Sequence, residues 1–361
     1  MMKIMNIMLS TKLGGIQQVF CDYDKALRMH NIEVLNIIHP FSKIKAQLIA
    51  EHAEIETLFN VNQYDFVAVN KLVKHIRIYH PDIIIIHGNR AAVFAKKAIV
   101  KVASKVPLVA VCHNQRIEPL IGLDALFIIL ERLRRIVLEK GQKPKTIYYV
   151  PNMVEIDKKT SQSRVFRSFR KVPIIGVIGR LVEEKSLDIF IEALSILKQK
   201  KLAFKVKIAG DGKLRKPLES MVFNKELTKE VSFLGWVNNK EKYFNNIDIF
   251  CLPSKIEHLS ISLLEAMSFV KPIVVADSFG PKEVIANKHD GLVVAKENPE
   301  ELANALEIFL TDQQLAKKCA ENSFKKFKKN YSLENGSERL VNTLNEIWIK
   351  HKEQLRNKER D

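Results

Sequence analysis

The chain has 361 residues, 47% of them hydrophobic and 27% charged, with 13 Gly, 12 Pro and a net charge of +17. At about 150 residues per domain the length predicts two domains, and the composition excludes a disordered, collagenous or disulfide-stapled chain. Cys21, Cys112, Cys251 and Cys319 are too few and too scattered for a disulfide framework or a metal cluster, which points to a reduced, cytoplasmic protein.

The positive charge is uneven. Residues 1–170 carry 26 Lys and Arg against 14 Asp and Glu, whereas the rest carry 32 against 27. Such an excess suits nucleic acid, an anionic membrane face or phosphorylated ligands. No zinc-finger or aromatic RNA-binding motif accompanies it, so nucleic acid is not expected as a partner.

Taken in chain order, short apolar runs alternate with amphipathic stretches. Residues 4–10 read as a first strand rather than a signal peptide, because Lys12 and Gly14-Gly15 follow at once. A helix then runs to about Met29, and Val34–Ile37 is a second strand. Apolar positions at Val69, Leu72, Val73 and Ile76 predict a helix over 67–79. Pro81-Asp82 stops it, and Ile83–Ile86 is a fully apolar strand. Leu108–Cys112 is another, with His113 opening the loop after it. The run 120–130 is the nearest approach to a membrane span, and Asp124 interrupts it. A basic helix over 131–140 carries Arg132, Arg134 and Arg135, and strand 146–150 ends at Pro151-Asn152.

Residues 156–172 are polar and basic, with Lys158, Lys159, Arg164, Arg167 and Arg170, and read as a linker. The alternation then restarts: strand 174–178, helix 186–199 with Ser186 as its expected cap, strand 205–209, the turn Gly210-Asp211-Gly212, and strands 231–234 and 247–252. Helix 262–269, strand 273–275, helix 281–287 and strand 291–294 follow, and everything from Pro299 is helical, with a charged end. Strands alternating with helices build parallel sheets. The expected architecture is α/β, two doubly wound Rossmann-like domains facing across a cleft. The expected N-terminal domain is 1–155 and the C-terminal one 173–335. A last helix, 336–361, is expected to pack back toward the first.

Two short motifs carry the chemistry. Glu257 and Glu265 stand eight apart, the first in a loop past a strand and the second in the following helix. A carboxylate there can accept two hydrogen bonds from a sugar diol, and the helix N-terminus between them suits a phosphate or sugar hydroxyls. Arg180 follows Gly179 at a strand end and Lys185 precedes a helix; two cations at such a corner can clamp a diphosphate and stabilise a leaving group. Gly14-Gly15 allows close backbone approach to a ligand.

In order and spacing these pieces, with Val150-Pro151-Asn152, Phe233-Leu234-Gly235, Pro253-Ser254, Gly280-Pro281-Lys282-Glu283 and Asp290-Gly291-Leu292-Val293, resemble the retaining, family-4 type glycosyltransferases of the GT-B fold, glycosyl transferases group 1. The resemblance implies transfer of a sugar from a nucleotide-diphosphate donor to a lipid-linked or polysaccharide acceptor, in cell-envelope glycan or lipopolysaccharide synthesis. It implies that Arg180 and Lys185 bind the donor diphosphate, Glu265 the ribose and Glu257 the donor sugar. Backbone around Leu259, Ser260, Ile261 and Ser262 would touch sugar or phosphate, Gly14, Gly15 and Gly179 would approach the donor, His113 would lie near the transferring sugar, and Glu283 would support the nucleotide. No metal and no other cofactor is expected. The basic first half implies peripheral contact with the cytoplasmic face of an anionic membrane, with Arg132, Arg134 and Arg135 as candidates. His258, Val270 and Met153 stand where the family has glycine; a β-branched Val at positive φ would cost about 1 kcal/mol or more. Two other readings stay open: a non-catalytic nucleotide-sugar or envelope-binding protein, and a nucleotide-sugar epimerase.

Overall fold

A computed structural model describes residues 2–11, 14–62, 64–156 and 164–358. Lys12 and the linker positions 157–163, including Lys158 and Lys159, lie outside the described residues. The chain divides into two units, Met1–Glu155 with Asn330–Asp361, and Ile156–Lys329.

The first unit is built on seven parallel strands: β1 (Lys3–Met8), β2 (Glu33–Ile38), β3 (Glu54–Thr57), β4 (Ile83–His87), β5 (Leu108–Cys112), β6 (Ala125–Ile128) and β7 (Ile147–Tyr149), in the order β3-β2-β1-β4-β5-β6-β7. Helices α1 (Gly15–Met29), α2 (Lys45–Ala50), α3 (Phe66–Tyr79), α4 (Asn89–Val102) and α5 (Arg132–Glu139) connect them. Ile83–Ile86 of β4 are 0% exposed. A central strand covered on both faces needs a continuous apolar run, not an alternating one. The run at 120–130 is not helical. It contains β6, and Asp124 Oδ2 accepts the Leu108 N–H at 2.8 Å, pinning the start of β5. Among the described residues no helix is long and apolar enough to cross a membrane.

The second unit has six parallel strands: β8 (Ile174–Ile178), β9 (Lys205–Ala209), β10 (Val231–Gly235), β11 (Ile249–Leu252), β12 (Ile273–Ala276) and β13 (Leu292–Val294), in the order β10-β9-β8-β11-β12-β13. Its helices are α6 (Leu187–Gln199), α7 (Arg215–Asn224), α8 (Lys240–Asn245), α9 (Ile261–Ser268), α10 (Pro281–Val284), α11 (Pro299–Thr311) and α12 (Gln313–Asn330). The core around Phe190, Leu194, Ile208 and Phe309 lies between sheet and helices. The basic segment 164–172 is tied to this unit: Arg164 lies over the Phe269 ring and donates to Ser268 O, and Arg170 pairs with Asp248 at 2.7 Å. The last helix, α13 (Leu333–Lys358), packs on α1 and belongs to the first unit.

Three local expectations need correction. Ser186 does not cap α6 through its side chain: it sits in the left-handed region at φ 47°, and its Oγ accepts the Lys255 N–H at 3.3 Å instead. Helix α10 stops at Val284, three residues early, because Asp290 Oδ1 takes the Ala286 N–H at 2.5 Å and turns the chain. Of the three positions where the resemblance implies a glycine, only Val270 adopts positive φ, at 53°. Its side chain is buried, which offsets a backbone cost of about 1–2 kcal/mol.

Candidate functional site

In a doubly wound sheet, ligands bind beyond the carboxyl ends of the strands where the winding reverses. In the second unit that point lies between β8, which leads to β9 on one side, and β11, which leads to β12 on the other. The loops after these two strands therefore start side by side. They are stitched together: Ile256 N–H donates to Glu184 O at 3.3 Å, and Lys185 Nζ forms an ion pair with the Glu257 carboxylate. Both side chains of that pair are largely buried, at 18% and 14% exposure. Arg180 is exposed at the end of β8, and among the described residues its guanidinium has no hydrogen bond or ion pair.

Glycines set the shape of this corner. The 210–212 turn leans directly on the β8 loop, so that a Cβ on Gly210 would lie 1.8 Å from Gly179 O and one on Gly212 would lie 2.4 Å from Leu181 O. Gly280 does the same for the other loop. Its N–H donates to Glu257 O at 3.0 Å, and a Cβ there would meet His258 O at 2.0 Å. Glu283 stands half-buried on α10 just beyond that contact.

Ser260 caps α9, its Oγ accepting the Leu263 N–H and sharing a proton with Ser262 Oγ at 2.9 Å. The amides of Ile261 and Ser262, in the first turn, have no backbone partner among the described residues. Leu259 and Ile261 pack inward beside them. One turn on, Glu265 is buried, and its Oε1 lies 2.5 Å from Lys240 Nζ of α8. Burial pushes its pKa up, against the opposing charge and hydrogen bond of Lys240. The structure thus brings Lys185 and Glu257 into contact, with Arg180 at the end of β8 and Glu265 on the helix that follows the β11 loop. Lys240 went unnoticed in the sequence, because nothing local marks a lysine 25 residues before its partner.

The corresponding point of the first unit lies between β1 and β4. Gly14 is extended, at φ 170°, and a Cβ on it would meet only Gln17 Oε1 at 3.4 Å. Neither the backbone conformation nor the packing requires glycine there, and helix α1 starts at Gly15 directly after it. His113, just past β5, is buried and paired with His87, the last residue of β4: His87 Nδ1 and His113 Nε2 are 3.1 Å apart. Phe20 and Tyr23 of α1 present their edges to the His87 ring at 5.4 and 5.0 Å. Burial pushes the His113 pKa down to about 3 and that of His87 well below its ordinary value, so both are neutral near neutral pH. One shared proton fills the hydrogen bond between them. His87 Nε2 and His113 Nδ1 have no partner among the described residues. The sequence shows His87 and His113 each closing an apolar run, but only the strand order makes those two runs neighbours.

Two of the three arginines of α5 are paired within the helix region: Arg134 forks onto Glu131 at 2.8 and 3.1 Å, and Arg135 pairs with Glu139 at 2.7 Å. Among the described residues no group of three His, Cys, Asp or Glu side chains could hold a metal ion.

Residues 158–326 match the family described as glycosyl transferases group 1. The alpha-D-kanosaminyltransferase of Streptomyces kanamyceticus is 30% identical over 49% of this chain and 46% of its own. The GalNAc-alpha-(1->4)-GalNAc-alpha-(1->3)-diNAcBac-PP-undecaprenol alpha-1,4-N-acetyl-D-galactosaminyltransferase of Campylobacter jejuni is 35% identical over 43% of this chain and 44% of its own. The chain thus spans under half the length of these two relatives. The crystal structure of Anabaena HepE in complex with UDP and glucose superposes with a TM-score of 0.81, at 19% identity, over 96% of this chain and 100% of that one. The fold is that of the GT-B enzymes.

Proposed function

We propose, from the match of residues 158–326 to the glycosyl transferases group 1, that this chain moves a sugar from a nucleotide-diphosphate donor to a hydroxyl of a glycan acceptor. The observation that carries this reading is the β8–β11 corner. There Lys185 pairs with Glu257, Arg180 stands exposed at the end of β8, and Glu265 lies one turn past the amides that open α9.

In this reading Lys185 exchanges Glu257 for the donor diphosphate, and with Arg180 stabilises the charge that builds on the leaving nucleotide. The exchange frees Glu257 to accept hydrogen bonds from donor-sugar hydroxyls. Glu265 accepts from the ribose diol, and Lys240 keeps it ionised despite its burial. The backbone of Leu259–Ser262 and of Gly179 meets sugar or phosphate, with Glu283 behind it. In the first unit, the backbone at Gly14 and Gly15 and the ring of neutral His113, whose Nδ1 has no partner among the described residues, can take sugar or phosphate groups. The bond from the anomeric carbon to the leaving phosphate breaks. The bond to the acceptor oxygen forms on the same face, and the acceptor proton passes to the leaving phosphate. The reaction therefore retains anomeric configuration and takes no metal and no other cofactor. The acceptor is lipid-linked or polysaccharide, in envelope or lipopolysaccharide-type synthesis at the inner membrane face. The undecaprenol-linked glycan in the name of the Campylobacter relative supports this.

A thermal-shift screen of UDP, GDP, ADP and CMP with their sugars tests the reading, on wild type and Glu265→Gln. A nucleotide at 100 times its Kd adds ~2.7 kcal/mol of stability. UDP comes first, because Anabaena HepE was solved with it. One nucleotide is expected to stabilise the wild type and to stabilise the variant less. Acceptor-dependent turnover of its sugar then separates transfer from epimerisation or plain binding. No shift with any nucleotide overturns the proposal.

A further inference from the structure

The carboxyl edge of the first unit's sheet carries a feature that sugar transfer does not use. Two loops and a helix start, after β2, after β3 and at α3, project Phe41, Phe59, Tyr64 and Phe66 from the surface with 52–73% of each residue exposed. Val61 and Val67 stand exposed among them. The rings touch: Phe41 and Phe59 meet edge to face at 6.3 Å, and both lie against the ring of His39, at 5.6 and 5.5 Å. His39 is itself buried, and burial lowers its pKa, so it adds no charge near neutral pH. Contiguous exposed aromatic surface of this kind marks a contact site.

Its surroundings say what kind. Lys43 lies in the first loop and Lys45 opens α2, both exposed, and Lys71 follows Val67 by one turn of α3. Lys97 Nζ sits over the Tyr64 ring at 5.2 Å. Arg90, at the start of α4, donates to Asn60 Oδ1 at 3.3 Å, which joins the second loop to the segment that follows His87. The sole carboxylate in 39–45 and 58–67 is Asp65, and it is spent on the backbone amides of Ala68 and Val61. Interfaces between proteins are depleted in lysine. Aromatic and aliphatic tips interleaved with lysine are instead the composition of surfaces that lie in a lipid headgroup region. All the strands are parallel, so this rim shares the sheet edge that bears His87, His113 and Gly14.

We propose that the rim formed by Phe41, Phe59, Val61, Tyr64, Phe66 and Val67, with Lys43, Lys45, Lys71, Lys97 and Arg90 around it, docks this unit on an anionic phospholipid bilayer. The proposal places the contact here and not on α5, where Glu131 and Glu139 engage Arg134 and Arg135. This deepens the acceptor side of the proposed function. The test uses neither donor nor acceptor, so its failure leaves the transfer reading standing.

The experiment is sedimentation of the full chain with phosphatidylcholine vesicles, with and without phosphatidylglycerol. The wild type is expected to partition onto the anionic vesicles, and 0.5 M salt should weaken but not abolish binding. The variant Phe41→Ser/Phe59→Ser/Phe66→Ser, which alters exposed side chains only, should bind about tenfold less at either salt concentration. Arg132→Gln/Arg134→Gln/Arg135→Gln should bind as wild type. Should the triple serine variant lose its fold, Phe66→Trp provides a second measure: its emission, taken as the difference from wild type, should shift to the blue with anionic vesicles. Three results overturn the proposal. The wild type stays in the supernatant, or the added tryptophan does not shift, or the wild type self-associates without vesicles through a contact that the serine variant loses. The last would make the occupant a second copy of the chain.

Discussion

The two units put their candidate site residues at the same place in the same kind of sheet, yet build the place from opposite chemistry. The second unit uses charge: Lys185 with Glu257 and Lys240 with Glu265, held over glycines that let the loops touch. The first uses neutral groups: His87 against His113, with Phe20 and Tyr23 around the His87 ring, both histidines uncharged near neutral pH because they are buried. The difference teaches how each half can answer a ligand. Ion pairs are satisfied when empty and can trade a carboxylate for a phosphate at little net cost, whereas a neutral buried pair has a fixed geometry and free ring nitrogens.

The largest test of this contrast is on activity. Lys185→Ala should lower sugar transfer by about 100- to 1,000-fold, as losing one electrostatic donor to a developing charge does. The mutation also leaves Glu257 without its partner. Assays of turnover and of nucleotide affinity on the same variant should show the larger loss in turnover; equal losses would reduce Lys185 to a binding group.

Next in size is a paired glycine replacement. Gly210→Ala places a Cβ 1.8 Å from Gly179 O at a φ of 122°, and should cost roughly 3 kcal/mol or more in urea unfolding. Gly88→Ala, in the neutral half, also has positive φ, at 89°, but open space around the Cβ, and should cost only the backbone strain of about 1–2 kcal/mol. Equal costs would mean that the close contact of the two loops contributes nothing to shape.

The third expectation concerns acid. His113 has a folded pKa of about 3, below its unfolded value near 6.5, so the folded state resists protonation. Its contribution is complete above about pH 6.5 and is lost as pH falls from there toward 3, with a slope of at most ~1.4 kcal/mol per pH unit. Urea midpoints between pH 7.5 and 4.5 should fall for the wild type and fall less steeply for His113→Gln. An unchanged slope would remove the buried histidine from the account.

The smallest effect has the opposite sign in pH. Glu265 has a raised folded pKa, so its ionised form is penalised in the fold above its unfolded value and not below it. Lys240→Ala enlarges that penalty. Lys240 is 43% exposed, so solvent screening limits the loss to about 1 kcal/mol near neutral pH. The loss should vanish as pH falls below about 4.3. Denaturation at pH 7.5 and pH 4 measures it, and a gap that persists at pH 4 would point to packing instead of charge.

Much of this molecule was legible before any coordinates. The apolar runs at 83–86, 108–112 and 273–275 announce strands buried on both faces, and Pro and Gly mark where they stop. Strands β3 and β6 and helices α2, α4, α7 and α8 escaped notice. Glu54–Thr57 alternates polar and apolar over only four residues, and the buried face of α4 is mostly alanine, which marks a stripe weakly. Ser186 looked like a cap because serine commonly is one, but its backbone is left-handed and its hydroxyl serves Lys255.

By itself, then, the sequence determined the alternation of strand and helix, the restart of the pattern at Ile174, and the carboxylates and cations that stand at strand ends. These follow from side-chain volume, periodicity and turn chemistry within a few residues. Tertiary structure alone decided the partners. Lys185 meets Glu257 across 72 residues, Lys240 meets Glu265 across 25, and His87 meets His113 across 26. The aromatic rim collects Phe41, Phe59 and Phe66 from separate segments. Which loops lie side by side depends on strand order, and strand order follows from how the winding reverses at β1–β4 and β8–β11, a choice that no local stretch of residues records.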